Sequence, residues 1–168
     1  MAKAVVALGS NLPGAFPSSE LLLAAAARAL TAAGVSVVRA SSVWRSAAWP
    51  DPGAPEFLNA VVLAETELDP AGVLAALLSV ERAFGRERGQ VNAARTLDLD
   101  LIDHDGAVLD GAGLTLPHPR AHQRRFVLGP LAEVAPEWRH PVLDRTAIDL
   151  FGEAAVGRDA SPVGRGSI

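Results

Sequence analysis

Strand-like and helix-like segments follow one another in a single order, strand–helix–strand twice over. That order confines the fold of this chain more than any one motif. Residues 3–10, KAVVALGS, read as a strand that Gly9 and the turn-prone SNLPG bring to an end. Ser18 or Ser19 caps a helix with Glu20 in its first turn, running through LLLAAAARALTAA to a stop at Gly34. Residues 35–46 (VSVVRASSVWRS) and 57–68 (FLNAVVLAETEL) read as the next two strands, with the loop AAWPDPGAPE between them. Asp69-Pro70 starts a second helix, in which Val73, Leu77, Val80 and Phe84 recur at helical spacing up to Gly85. The polar loop RERGQVNAA then leads into RTLDLDLI, a fourth strand.

This order predicts an α+β fold, the ferredoxin-like split βαβ sandwich. Its central sheet is mainly antiparallel, with helices packed on it and two flexible polar loops. Past the fourth strand, DGAVLDGAGLTLPHP reads as a short hairpin or meander. A helical piece follows over roughly Arg120 to Ala132, its regularity limited by Pro130, and TAIDLFGEAA reads as another helical turn. One domain over 1–156 is expected, and the Gly/Ser/Pro-rich tail 157–168 is expected to be mobile.

In RTLDLDLI, successive side chains of a strand point to opposite faces, so Leu97, Leu99 and Leu101 share one face and Asp98 and Asp100 the other. The leucine face reads as core. Two carboxylates roughly 7 Å apart by strand geometry repel unless something cationic sits between them. Hard oxygen ligands suit Mg²⁺, which takes one or two protein carboxylates together with substrate phosphates. An exposed strand whose carboxylates meet water is the plainer alternative.

The chain is acidic overall, with net charge −4, which argues against nucleic-acid binding. Its positive charge is almost all arginine, Lys3 being the only lysine, and it is concentrated on both sides of the aspartate strand. Arg82, Arg86, Arg88 and Arg95 precede the strand; Arg120, Arg124 and Arg125 follow it, with His118 and His122. Guanidiniums suit phosphate oxygens, so a small polyanionic ligand is expected. There is no cysteine, no P-loop and no secretory signal, and LLLAAAARAL is too short to span a bilayer. A cytoplasmic protein is the expectation. Asn59 is a polar amide inside an apolar strand and needs a partner. Phe57 and Phe126 read by periodicity as ordinary core.

The segments ALGSN, FLNAVV, ERAFGR, RTLDLDLI, LPHP and RRFVLGPLAEVAP stand in the order and spacing of one family. Over about residues 3–141 the chain resembles the 6-hydroxymethyl-7,8-dihydropterin pyrophosphokinases. The resemblance implies transfer of the terminal pyrophosphate of ATP to the hydroxymethyl oxygen of the pterin, with release of AMP, in folate biosynthesis. It implies two Mg²⁺ ions held by Asp98 and Asp100, and charge neutralisation by Arg86 and Arg95. For the pterin it implies Asn59, stacking by Phe57 and Phe126, and backbone groups of Ser46, Ala47 and Trp49. For ATP it implies Glu81, Arg86, Arg95, Thr115, His118 and Arg124. The partners are then ATP and the pterin, with no nucleic acid and no membrane, and a monomer is expected.

The sequence departs from the family pattern at Asn92-Ala93-Ala94, where Trp-Gly-Pro often precedes the arginine, and at RSAAW, which replaces a proline-richer loop. Two other readings stay open on the sequence. One is a ferredoxin-like module that binds a small ligand without turnover. The other is a zinc hydrolase built on His118 and His122, against which stand Pro119 and the lack of an evident third ligand.

Overall fold

The computed structural model describes residues 1–47, 53–85 and 96–168, and all their side chains except those of 165 and 166. The elements run β1 (Ala2–Ser10), α1 (Ser19–Ala32), β2 (Ser36–Ala40), β3 (Ser42–Ser46), β4 (Phe57–Thr66), α2 (Pro70–Ala83) and β5 (Asp98–His104). They continue with the hairpin β6 (Leu109–Gly111) and β7 (Leu114–Leu116), a 3-10 turn (Ala121–Gln123), α3 (Arg125–Val134), α4 (Ala147–Glu153) and β8 (Ser161–Ser167).

The main sheet has the strand order β5-β1-β4-β3-β8, with β2 also paired to β4, and every pairing is antiparallel. Strand β4 therefore splits β1 from β2 and β3, and β1 splits β4 from β5. This is the split βαβ arrangement that the order of segments predicts. Helix caps follow from side chains: Ser18 accepts the Leu21 N–H, and Asp69 accepts the Gly72 N–H at 2.7 Å.

Each face of the sheet has its own core. Leu97, Leu99 and Leu101 are buried with Val6, Leu8 and Val62 under α1 and α2. Burial of a leucine side chain contributes about 1.5–3 kcal/mol, so the aspartate strand is anchored mainly through this face. On the other face Val5, Ala7, Val61 and Ile102 pack under α3 and α4. Asp98 and Asp100 open onto this second side, at the end of the strand that the two helices leave uncovered.

Three readings of the sequence change. The expected second strand is two, because Ser41 interrupts it: its N–H donates to the Val61 carbonyl and its hydroxyl accepts the Val61 N–H, each at 2.9 Å. The helical piece after His118 is a 3-10 turn and α3, separated at Arg124, and α3 runs on through Pro130 to Val134. The segment from Gly157, expected as a mobile tail on composition, carries β8, which pairs with β3 in the register Trp44↔Pro162 and Arg45↔Ser161. Backbone pairing does not require β-favouring side chains where an open edge is available.

Candidate active site

The site is built on one row of the sheet. Gly9 of β1 pairs with Asp98 of β5 on one side and with Asn59 of β4 on the other, and Asn59 pairs in turn with Trp44 of β3. Directly paired residues share a face, so Asp98, Gly9 and Asn59 look the same way. Two strand spacings separate the carboxylate from the amide, roughly 10 Å. Gly9 leaves the space between them open: a Cβ there would stand 3.1 Å from Asn59 Oδ1. Phe57, two residues before Asn59, lies on the same face and pairs with Ser46. Asn59 Nδ2 donates to Ser46 Oγ at 3.5 Å, a long bond that holds the buried amide loosely. Gly9 is a site residue that sequence reading missed as such. Its signal was a glycine inside an otherwise apolar strand, which marks close approach to a side chain or ligand.

β5 is the edge strand, and its free side is partly satisfied by side chains and loops. Glu81 of α2 is 2% exposed, and its carboxylate accepts the Leu99 N–H at 3.0 Å. The Ile102 carbonyl accepts the His118 N–H at 2.9 Å. These contacts fix His118 beside the aspartates, its Nε2 lying 3.9 Å from Asp100 Oδ1.

A cleft of about 480 Å³ follows this edge, walled by Leu74, Leu78, Glu81, Asp98, Asp100, His118, Arg120 and Arg124. A second hollow shares Asp100 and His118 with it and adds Thr115. The structure thus brings Asp98, Asp100, Glu81, His118 and Arg124 to one groove, with Thr115 in the hollow that shares Asp100 and His118 with it. It brings Asn59, Phe57 and Ser46 to the same sheet face. Phe126 stands half-buried in the first turn of α3, with the Arg124 guanidinium 5.8 Å from its ring centre. Arg86, Arg95 and Trp49 lie outside the described residues, as do most of the two polar loops.

Burial holds the His118 imidazole pKa down to about 4, helped by the positive charge of Arg124 and opposed by Asp98. At neutral pH the ring is uncharged, so its approach to Asp100 is not an ion pair. Its Nδ1 accepts the Arg120 backbone N–H at 3.2 Å, which puts the ring proton on Nε2, facing the cleft. His118 therefore presents a neutral N–H donor to whatever occupies that groove.

The second histidine of the zinc reading, His122, faces another imidazole. His122 packs edge-on against His140, with ring centres 5.6 Å apart. Among the described residues no group of three or more His, Cys, Asp or Glu is arranged to hold a metal ion. Zinc chemistry wants such a group. Magnesium does not, since one or two carboxylates, substrate phosphates and water complete its shell. Asp98 and Asp100, both partly exposed at the cleft, fit that second demand.

Ala47 differs from expectation in one respect. Its N–H donates to Asp159 Oδ2 at 2.6 Å, so it is not available to a ligand while that bond stands.

Comparisons with known proteins bear on the family and the fold. The chain is 43% identical over 148 residues to a 2-amino-4-hydroxy-6-hydroxymethyldihydropteridine pyrophosphokinase of Synechocystis, covering 88% of this chain and 74% of the relative. It is 40% identical over 138 residues to the protein of the same name from Methylorubrum extorquens, covering 82% and 85%. A crystal structure of a triple mutant of Plasmodium falciparum HPPK-DHPS with pteroate superposes with a TM-score of 0.73 at 13% identity. That match covers 90% of this chain and 43% of the other, and at such identity it speaks for the fold alone. No helix among the described residues is long and apolar enough to cross a membrane. Residues 5–136 match the family described as 7,8-dihydro-6-hydroxymethylpterin-pyrophosphokinase (HPPK), and the chain belongs to that family.

Proposed function

We propose that this chain transfers the terminal pyrophosphate of ATP, bound with Mg²⁺, to the hydroxymethyl oxygen of 6-hydroxymethyl-7,8-dihydropterin. Pyrophosphate transfer to hydroxymethyldihydropterin, a step of folate synthesis, follows from the family and from the names of its relatives. The donor, the metal and the residue roles are the proposed part. The observation that carries the reading is the row Asp98–Gly9–Asn59, which sets a carboxylate and a buried amide at the two ends of an open floor.

The pterin lies over Gly9, its polar edge on Asn59, whose amide offers both a donor and an acceptor. Phe57 and Phe126 flank the ring, and Ser46 holds the amide. The polyphosphate lies along the cleft, with the neutral Nε2–H of His118 and the guanidinium of Arg124 directed to its oxygens and Thr115 beside them. Leu74 and Leu78 give apolar surface to the base. Asp98 and Asp100 would hold the magnesium, which when bound would screen the phosphate charge and help orient the chain of phosphates.

In the reaction the hydroxymethyl oxygen bonds to the β-phosphorus, the bond from that phosphorus to the α-phosphate oxygen breaks, and AMP leaves. The hydroxyl proton passes to water or a phosphate oxygen. The protein contributes position and charge, with Arg86 and Arg95 carrying over from the family as the cations that neutralise the moving group. A cytoplasmic monomer completes the proposal, and the net negative charge supports its binding no nucleic acid.

The test is to incubate the purified protein with ATP, Mg²⁺ and the pterin and identify the nucleotide product. Pterin-dependent AMP with a matching pterin diphosphate is expected. ADP as the product, or pterin binding without turnover, would overturn the reading.

A further inference from the structure

One short segment, Val156 to Asp159, touches both walls of the pterin end of the site, and it lies beyond the family match over residues 5–136. On one side it is stitched to the start of α3. The Val156 N–H donates to the Gln123 carbonyl at 3.1 Å, and the Arg125 N–H donates to the Val156 carbonyl at 2.9 Å. Gly157 takes φ 74°, and a Cβ there would stand 2.7 Å from Phe126 Cδ1, so this backbone bears directly on the Phe126 ring. On the other side, the turn closed by the Ala160 N–H and the Gly157 carbonyl presents Asp159, whose carboxylate takes the Ala47 N–H at 2.6 Å. Ala47 directly follows Ser46, the partner of Asn59. β8 then runs along β3 and fixes the strand from its outer edge.

We infer that Asp159 is a positioning residue for the pterin pocket, holding the Ser46-Ala47 wall at a fixed distance from the Phe126 wall through the turn it shares with Gly157. This rests on the proposed function, since it takes the pterin to lie between those walls. The physical need is plain at position 47. β3 ends at Ser46, and an N–H just past a strand end has no ladder partner, so the chain there would wander without a fixed acceptor. A charged acceptor on a closed turn supplies one, and such bonds are stronger than neutral ones. Preorganising the wall removes an ordering cost that the ligand would otherwise meet on binding.

The test compares the wild type with Asp159→Ala and Asp159→Asn in the full chain, measuring KM for pterin and for ATP, kcat, melting temperature and amide exchange of the peptide 41–47. Asp159→Ala is expected to raise the pterin KM about tenfold and to speed that amide exchange, with ATP KM and kcat within about twofold of wild type. Asp159→Asn keeps an acceptor oxygen and is expected to recover most of the loss. An unchanged pterin KM with faster exchange would overturn the positioning role. A parallel loss in ATP KM, kcat and melting temperature in both variants would overturn it too, by showing a merely structural bond. A wild type that neither binds nor turns over pterin refutes the functional reading and this inference with it. A wild type that uses pterin, beside variants that use it equally well, refutes the inference alone.

Discussion

The Glu81 carboxylate accepts the backbone N–H of Leu99 at 3.0 Å, tying α2 to the open edge of β5 between the two aspartates of the site. The resemblance to the family assigns Glu81 to ATP. Its burial and its bond to the strand show a structural role, tying the aspartate-bearing strand to α2. Glu81→Ala leaves the Leu99 N–H without its acceptor and is expected to lower stability by about 2 kcal/mol in urea unfolding. Glu81→Gln keeps a carbonyl acceptor and is expected to lose less than half of that. Equal stability of wild type and Glu81→Ala would show that the bond contributes nothing.

Asp98 and Asp100 sit on the partly exposed face, and the leucines of the same strand carry its packing. Asp98→Ala and Asp100→Ala are each expected to keep the melting temperature near wild type and to cut turnover by a factor on the order of 10² to 10³. Chelation of divalent cations with EDTA is expected to abolish wild-type turnover, and Mg²⁺ to restore it. Near-normal rates in both variants would remove the metal assignment.

Asn59 faces Gly9 across a strand spacing, and among the described residues its amide makes a long bond to Ser46 at 3.5 Å, a weak commitment that a ligand can compete with. Asn59→Ala is expected to raise the pterin KM about tenfold or more while the ATP KM stays within about twofold. If both constants rise together, the amide does not read the pterin edge.

His118 contributes to the pH dependence of stability in the substrate-free protein. Its folded pKa, pushed down to about 4 by burial, lies below the ordinary value of 6.5. Between those values the unfolded chain takes up a proton that the folded chain does not. The contribution is therefore full above pH 6.5 and is lost as pH falls toward 4. His140, lowered by burial and by its neighbour His122, acts in the same direction. The melting temperature of His118→Gln is expected to fall less than that of wild type between pH 6.5 and 4.5. Parallel curves would show that His118 is not a buried neutral group.

Much of the fold could be read locally. Asp69-Pro70 and Ser18 start helices because a side-chain oxygen satisfies an orphan N–H a few residues away. The leucine and aspartate faces of β5 follow from the period of a strand. Ser41 could not be read in this way, because its hydroxyl interrupts a strand by bonding Val61, 20 residues distant. β8 could not either, since a Gly/Ser/Pro-rich composition says nothing of an edge waiting to be paired.

The sequence by itself determined which residue types were available: the carboxylate pair, the amide in an apolar strand, and arginines on both sides of the aspartates. The tertiary structure alone decided that Asp98, Gly9 and Asn59 form one row, that Glu81 turns to a backbone N–H, and that Asp159 reaches Ala47, 112 residues away. Side-chain periodicity is a local property of the backbone, whereas sheet register is set when distant strands pair so that both faces are buried at once.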